Sequence, residues 1–430
     1  LWARKNNGTF ILRIEDTDKK REIAGSVLHI IASLKWLGID WDEGPDIGGK
    51  NAPYKQSERL DIYKKYALML VEKGLAYADP YTPQELENFR KHAETFKTPF
   101  LYRNHRPASP PVWDGSRPLR LRANVKKYQW HDEIRGDLEA GEESVDDFIL
   151  IKSDGYPTYN FAHIIDDLLM GVTYIFRASE FISSTPNFLA LYEALGILHP
   201  KFATLPPILG EEGTKKLGKR DGAKDILDYE KEGYLPEAML NFLVFIGWNP
   251  GDGDNREVMS KEEIMKAFEL ENIQKAGGRF NEAKLDWLNK EYLKKMDKEL
   301  RLQRYKEEFT KSGQALDDST LSKIEPLITE RISKFGDIKL IVEKKEITFF
   351  WQEPQWNKES FLWKGEGNGD DIKTVLTELI KILESKSEVT SKEQIKESIW
   401  PYAEKIGRGS VLWPLRYALS GLEKSPDPFV

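Results

Sequence analysis

The sequence predicts an α/β fold interrupted by an inserted domain and followed by a helical region. Three patterns carry that expectation. Apolar runs of strand character, Phe10 to Glu15 and Val172 to Phe176, alternate with segments whose apolar residues recur every three or four positions. Between them, Pro99, Pro107, Pro110, Pro111 and Pro118 break up a stretch rich in aromatics and arginine. From about residue 297 the chain is helix, charge and polar loop.

Taken in order, the strand Phe10 to Glu15 leads into a helix whose apolar face is Ile23, Val27, Ile30, Leu34 and Leu37. A second helix begins near Ser57, presents Leu60, Tyr63, Ala67 and Leu70, and stops at Gly74. Thr82-Pro83 supplies a cap and a first-turn proline for the next helix. The insert that follows is expected to hold short strands such as Leu119 to Leu121 and Phe148 to Ile151, and to end near Ser153. The α/β pattern then resumes with a buried strand Val172 to Phe176, a helix Pro186 to Leu195 and an apolar run Phe202 to Leu209. Pro236 to Ile246 is nearly all apolar, and Ser260-Lys261-Glu262-Glu263 reads as a capping box.

A chain of 430 residues accommodates two to four domains. It contains no cysteine, which excludes disulfides, thiolate nucleophiles and zinc sites built on cysteine. Its six histidines, at 29, 92, 105, 131, 163 and 199, lack ligand-like spacing, so no zinc and no structural metal are expected. No apolar run reaches the ~18 residues of a membrane span. No leader is visible, and the expected location is cytoplasmic, without a membrane partner. The net charge is −7, yet 64 Lys and Arg can gather on one face, and only the local field matters to a phosphate.

The segment richest in chemistry is Gly213-Thr214-Lys215-Lys216-Leu217-Gly218-Lys219-Arg220-Asp221-Gly222, just after Leu205-Pro206-Pro207-Ile208-Leu209. Glycines free the backbone, and lysines on such a loop can close over a polyphosphate. By itself such a run reads as solvated surface; its company turns it into a nucleotide loop. Upstream lie Arg13-Ile14-Glu15-Asp16-Thr17-Asp18 at a strand end, Asp154-Gly155-Tyr156-Pro157-Thr158-Tyr159-Asn160-Phe161-Ala162, and Phe176-Arg177-Ala178-Ser179-Glu180-Phe181. Ligands of open α/β sheets bind beyond the carboxyl ends of the strands.

These segments, in this order, resemble the glutamyl-tRNA synthetases of bacterial type, class I enzymes that charge tRNA with glutamate. The likeness extends to Trp36-Leu37-Gly38-Ile39-Asp40-Trp41, Gln56-Ser57-Glu58-Arg59, Leu235-Pro236-Glu237-Ala238 and Leu412-Trp413-Pro414-Leu415-Arg416-Tyr417. It implies a Rossmann-type class I synthetase catalytic domain with an inserted α+β acceptor-binding domain, then a helical stem-contact region and an all-α anticodon-binding region. The corresponding boundaries are 1–78 and 154–223 for the catalytic halves, 79–153 for the insert, 224–296 for the stem-contact helices and 297–430 for the anticodon region.

The same resemblance implies L-glutamate, ATP with Mg2+, and glutamate tRNA as substrates and partners, handled by a monomer. Lys216 and Lys219 match the two lysines of the family's Lys-Met-Ser-Lys-Ser loop, with Lys219 on the ATP phosphates. Glu15 matches the ligand of the amino group and Arg177 the partner of the side-chain carboxylate. Chemistry agrees, because an ammonium group needs an anion and a guanidinium can hold a carboxylate bidentately. Either residue alone would read as an ordinary ion pair. Tyr159 and His163 match residues lining that pocket, with core packing as the plain alternative, and Glu180 matches a residue near the ATP ribose. For tRNA, the resemblance assigns the insert to the acceptor end. Arg103, Arg106, Arg117, Arg120 and Arg122, with Tyr102 and Trp113, either hold RNA there or rim a small β domain. Arg331 is a candidate anticodon contact or a solvated helix position.

Three departures accompany the match. The family's other ATP motif, His-Ile-Gly-His, belongs upstream of Leu1, so a chain truncated at both ends is expected. Gly218 stands at the loop's serine, and Arg177-Ala178-Ser179-Glu180-Phe181 replaces the commoner Arg-Gly-Glu-Glu-His. The competing readings are a non-catalytic tRNA-binding paralogue and a short relative that glutamylates a modified tRNA base. The long helical C-terminal part opposes the second.

Overall fold

A computed structural model describes residues 1–18, 23–218, 223–251, 253–362, 369–385 and 391–429. The chain divides into two compact units, 1–226 with 239–282, and 227–238 with 283–430.

The first unit begins with the short helix α1 (Trp2–Lys5), followed by an extended segment through residues 10–15. This segment is less regular than the expected strand. Ile11 bridges Glu43 and Ile14 bridges Lys55, both in parallel, and the amides of Leu12 and Ile14 donate to the carbonyls of Glu43 and Tyr54 at 2.9 and 2.8 Å. Its partners are two different pieces of chain, one turning back at Gly44–Gly48 and the other carrying Pro53, which has no N–H to give. Neither runs long enough to form a continuous ladder.

Helix α2 (Ser26–Trp36) forms where the periodicity placed it, but none of its residues is buried. Leu28 is 72% and Ile30 43% exposed, as is Ile23 before it at 73%. Of the face predicted to be core, Ile23 and Ile30 are exposed, Val27 and Leu34 are half-buried, and Leu37 just past the helix is buried. Helix α3 (Leu60–Glu72) behaves as expected, burying Tyr63, Ala67 and Leu70 and ending before Gly74, whose φ of +70° suits a residue without a Cβ.

Strand β1 (Ala76–Ala78) was not evident in the sequence, being three residues long. Helix α4 (Pro83–Thr95) starts with the Thr82–Glu85 capping box. The expected strands then appear as β2 (Leu119–Leu121) and β5 (Ile149–Ile151), which join β1 in an antiparallel sheet of order β1-β2-β5. Between them runs the hairpin β3 (Tyr128–Asp132) and β4 (Gly136–Ala140), also unanticipated. Although it lies within the expected insert, this hairpin belongs to a second sheet. That sheet has the order β4-β3-β7-β6, with β6 (Tyr174–Ala178) and β7 (Lys201–Leu205) parallel to each other.

Strand β6 starts two residues later than expected and buries only Ile175. It pairs with β7 alone and sits at the edge of its sheet, which leaves Phe176 37% exposed. Helices α5 (Tyr159–Leu169) and α6 (Thr185–Leu195) pack with α3 around Tyr63, Leu119, Leu150, Phe161 and Phe188, all fully buried.

Beyond β7, strand β8 (Ile208–Leu209) pairs in parallel with β9 (Gly278–Arg279). Gly278 is dictated by packing, since a Cβ there would run into the Ile246 carbonyl. Helices α7 (Ile226–Lys231), α8 (Pro236–Phe245) and α9 (Lys261–Ala267) come before β9, and α9 opens with the expected Ser260–Glu263 capping box.

The second unit is helical and takes in α7 together with α10 (Glu282–Lys295), α11 (Lys298–Lys311), α12 (Asp318–Arg331), α13 (Asp337–Glu343), α14 (Gly369–Glu384), α15 (Lys392–Ile406) and α16 (Arg408–Ser420). Among its described residues no strand occurs after residue 297. One core gathers Tyr305, Phe309, Ile328 and Phe335, and a separate one gathers Leu379, Ile399 and Val411 from the last three helices. No helix of the described residues is long and apolar enough to cross a membrane.

Candidate functional site

Helix α5 is buried along most of its length and nevertheless carries two adjacent acids, Asp166 and Asp167. A buried carboxylate is tolerated only when charge and hydrogen bonds replace water. For Asp166 the replacement is complete. Arg59 Nε donates to it at 2.7 Å, Tyr63 Oη at 2.7 Å and Gln56 Nε2 at 2.9 Å. Arg59 also donates through Nη1 to the carbonyl of Pro53 at 3.0 Å. The cluster therefore ties α5 to α3 and to the segment that carries Ile14's bridge partner.

Asp167 faces the other way. It accepts from Arg13 Nη1 at 2.8 Å, and Arg13 Nη2 in turn donates to Glu15 at 2.9 Å. Its second oxygen lies 3.4 Å from His163 Nδ1, one helical turn back. The nearer partner of that nitrogen is Arg177 Nη2, at 2.9 Å. The same Nη2 lies 3.4 Å from Nε2, so the guanidinium nitrogen sits over the face of the ring, and the imidazole proton is assigned to Nδ1, which donates to Asp167. The protonation balance agrees. Burial, with Arg177 adding to it, holds the His163 pKa down at about 4 against the pull of Asp167.

The expected glutamate-site residues Glu15, Tyr159, His163 and Arg177 are thus brought together. The Tyr159 ring lies 4.8 Å from that of His163 and 5.6 Å from that of Phe181. Burial raises the Tyr159 pKa, with the charges of Arg177, Glu15 and Asp167 all acting on its hydroxyl. Arg177 packs its guanidinium over the ring of Phe188, 4.8 Å from its centroid. Its Nη1 is buried and has no hydrogen-bond partner, and no carboxylate lies within ion-pair distance of it among the described residues. A half-buried guanidinium whose inaccessible Nη1 has no partner and whose charge is uncompensated is arranged to receive an anion.

The lysine loop begins as a short hairpin. Gly210 and Leu217 amides donate to the carbonyls of Lys215 and Ile208 at 2.9 and 2.8 Å, and Lys216 bridges Leu209. Lys216 Nζ meets Glu180 Oε2 at 2.5 Å, and both side chains are exposed. Two residues expected on the nucleotide side are therefore adjacent, and one of them, Glu180, lies three positions along the chain from Arg177. Lys219 lies outside the described residues.

The arginines of the expected insert are engaged within the protein. Arg106 forks onto the buried Asp147 with two contacts of 2.6 Å, Arg120 pairs with Asp79 at 2.6 Å, and Arg103 Nη1 reaches the Val145 carbonyl at 2.5 Å. Arg117 reaches the Pro80 carbonyl at 2.9 Å from an exposed position, and Arg122 lies 5.0 Å over the Tyr77 ring. Tyr102 and Trp113 are buried. Arg331 is exposed and pairs with Glu346 at 3.0 Å. Among the described residues, no group of three His, Asp or Glu side chains converges as a metal site.

Sequence reading missed Arg13, Arg59, Asp166 and Asp167. The available signal was Ile164-Ile165-Asp166-Asp167-Leu168-Leu169, two acids inside an apolar helix that had to find cations.

One pH effect follows from this geometry. Because His163 is neutral in the fold and titrates near 6.5 when unfolded, the unfolded chain gains a proton first. Stability is expected to be fully present above pH 6.5 and to fall as pH drops toward about 4. Urea unfolding across that window measures it, and His163→Gln is expected to flatten the slope.

The model of the class I tRNA synthetase (E and Q) catalytic domain matches residues 1–287, and that of the anticodon binding domain matches residues 279–430. The glutamate–tRNA ligase of Clostridium botulinum (strain Loch Maree / Type A3) is 38% identical, over 99% of this chain and 88% of its own length. The corresponding protein of Anaeromyxobacter sp. (strain Fw109-5) is 36% identical over 100% of this chain and 89% of its own. Among solved structures, a glutamate tRNA ligase from Elizabethkingia meningosepticum in complex with its amino acid superposes with a TM-score of 0.85. It shares 35% identity over 100% of this chain and 90% of that one. With this fold and these two matched regions, the chain belongs to the glutamate–tRNA ligase family of the class I tRNA synthetases.

Proposed function

We propose that the chain ligates L-glutamate to its tRNA in two steps, forming glutamyl-AMP from ATP and then esterifying the terminal adenosine of the tRNA. The observation that carries this reading is the half-buried Arg177 guanidinium, oriented by a neutral imidazole and with its inaccessible Nη1 left without an internal anion. The side-chain carboxylate of glutamate is the ligand it suits, while Glu15 takes the α-ammonium group and Tyr159 and His163 line the space between. Glutamine would leave the cation unpaired, so discrimination comes from the binding site itself.

Adenylate formation needs alignment and charge stabilisation more than covalent chemistry. Lys216 and Lys219 supply cations to the ATP phosphates, and Glu180 gives up Lys216 to take a place near the ribose. Mg2+, when bound with ATP, would neutralise charge on the phosphates that Lys216 and Lys219 also meet. The segment 79–153 receives the acceptor end of the tRNA, 224–296 contacts the stem and 297–430 binds the anticodon. In that scheme Arg103, Arg106 and Arg117 shape the RNA surface while staying hooked to the protein, and Arg331 reaches the anticodon by leaving Glu346. The protein works as a cytoplasmic monomer.

Glutamate-dependent ATP–pyrophosphate exchange, with and without glutamate tRNA, tests the reading. Lys216→Ala and Lys219→Ala are each expected to lower the exchange about 10- to 100-fold, the loss of one charge-assisted contact. Binding of tRNA, followed separately, is expected to stay unchanged. Exchange equal to wild type in both variants would remove the loop from the mechanism.

A further inference from the structure

The two charges assigned to glutamate, Glu15 and Arg177, lie on different segments, yet a single buried carboxylate stands behind both. Asp167 Oδ1 holds Arg13 Nη1 at 2.8 Å, and the same guanidinium holds Glu15 through Nη2 at 2.9 Å. On its other side, Asp167 Oδ2 lies 3.4 Å from His163 Nδ1, and Arg177 Nη2 packs on the face of that ring, 2.9 Å from Nδ1 and 3.4 Å from Nε2. Asp167 and His163 are one helical turn apart on α5, so their spacing is fixed by helix geometry. Both are buried. The chain of contacts therefore runs Glu15, Arg13, Asp167, His163, Arg177, with a rigid helix at its centre.

We propose that Asp167 is a positioning residue that sets the distance between the ammonium and carboxylate anchors, and so selects the length of the amino acid side chain accepted. The reason is physical. Arg13 and Arg177 are cations that would drift apart or toward other acceptors without a shared anion behind them. A carboxylate touching Arg177 directly would neutralise it and compete with the substrate. Placed behind a neutral imidazole, Asp167 steadies the guanidinium while its charge stays available. On the Arg13 side the contact is direct, because there the cation's task is to orient Glu15 rather than to meet a ligand. Glutamate and aspartate carry the same two charged groups and differ by one methylene, so only a fixed span between anchors separates them strongly.

The proposal rests on the assignment of Glu15 and Arg177 to glutamate. The test is calorimetric titration of the full chain with L-glutamate, and competition by L-aspartate, in wild type, Asp167→Asn and Arg177→Lys. Asp167→Asn keeps the shape and removes the charge. It is expected to weaken glutamate about tenfold and to lower the glutamate-to-aspartate affinity ratio at least about fivefold, as for one loosened charge-assisted contact. ATP affinity is expected to stay within about twofold, which a general loss of structure would not allow. A ratio equal to wild type, whatever the absolute affinities, overturns the proposal. Should Asp167→Asn fail to fold, Arg13→Lys, which keeps the charge but loses the fork, is expected to lower the same ratio, and an unchanged ratio there is equally decisive. If Arg177→Lys leaves glutamate affinity intact, the underlying site assignment fails instead.

Discussion

Replacing Asp166 with alanine is expected to lower the unfolding free energy by about 3–5 kcal/mol, the cost of removing one partner from a buried ion pair. The carboxylate is completely buried and receives three donors, from Arg59, Tyr63 and Gln56. Arg59 is itself buried, so its charge would remain in the core with only the backbone carbonyls of Asn51 and Pro53 to face it. Tyr63 would lose the acceptor for its hydroxyl as well. Urea denaturation of wild type, Asp166→Ala and Tyr63→Phe provides the measure. Tyr63→Phe removes one donor and leaves the ion pair standing, so its cost is expected to be about 1 kcal/mol. Equal losses in the two variants would show that the ion pair is not what holds α5 against α3.

Arg177→Ala is expected to weaken L-glutamate by about 10²- to 10³-fold, with the affinity for ATP nearly unchanged. The estimate comes from removing a bidentate, charge-assisted contact from a half-buried site, with each hydrogen bond to a charged group contributing about 1.5 kcal/mol, the lower end for such bonds. The substrate carboxylate would then enter a pocket lined by Tyr159, His163 and Phe181 without a cation to meet it. Michaelis constants for glutamate and ATP in the exchange reaction, or calorimetric titration of glutamate alone, read the effect. A glutamate constant within about threefold of wild type would remove Arg177 from the binding site.

Much of this fold could be read from local pattern. The capping boxes at Thr82 and Ser260, the stop at Gly74, and the apolar faces of α3 and α6 are decided by residues within a turn or two of each other. The strands that escaped notice, β1 and the β3–β4 hairpin, are short and take their stability from partners far away in sequence. Helix α2 is met only in part: its periodicity is clear and Leu37 at its end is buried, yet Ile23 and Ile30 are exposed, because periodicity names a face without naming what covers it.

The candidate site divides in the same way. Glu15, Arg177 and Lys216 were singled out because charged residues at strand ends and in glycine-rich loops suggest ligands. Their working partners Arg13, Asp167 and Asp166 were not, because each is defined by a contact more than a hundred residues away. The sequence by itself determined which side chains can meet an ammonium group, a carboxylate and a phosphate, since that is a property of the residues and their short motifs. Tertiary structure alone decided which of those charges are already spent. Arg106 is consumed by Asp147 and Arg120 by Asp79, whereas Arg177 leans on a neutral imidazole with one Nη free. The physical reason is that a charge in a protein interior is set by whatever lies within about 4 Å of it, and separation along the chain carries no information about that distance.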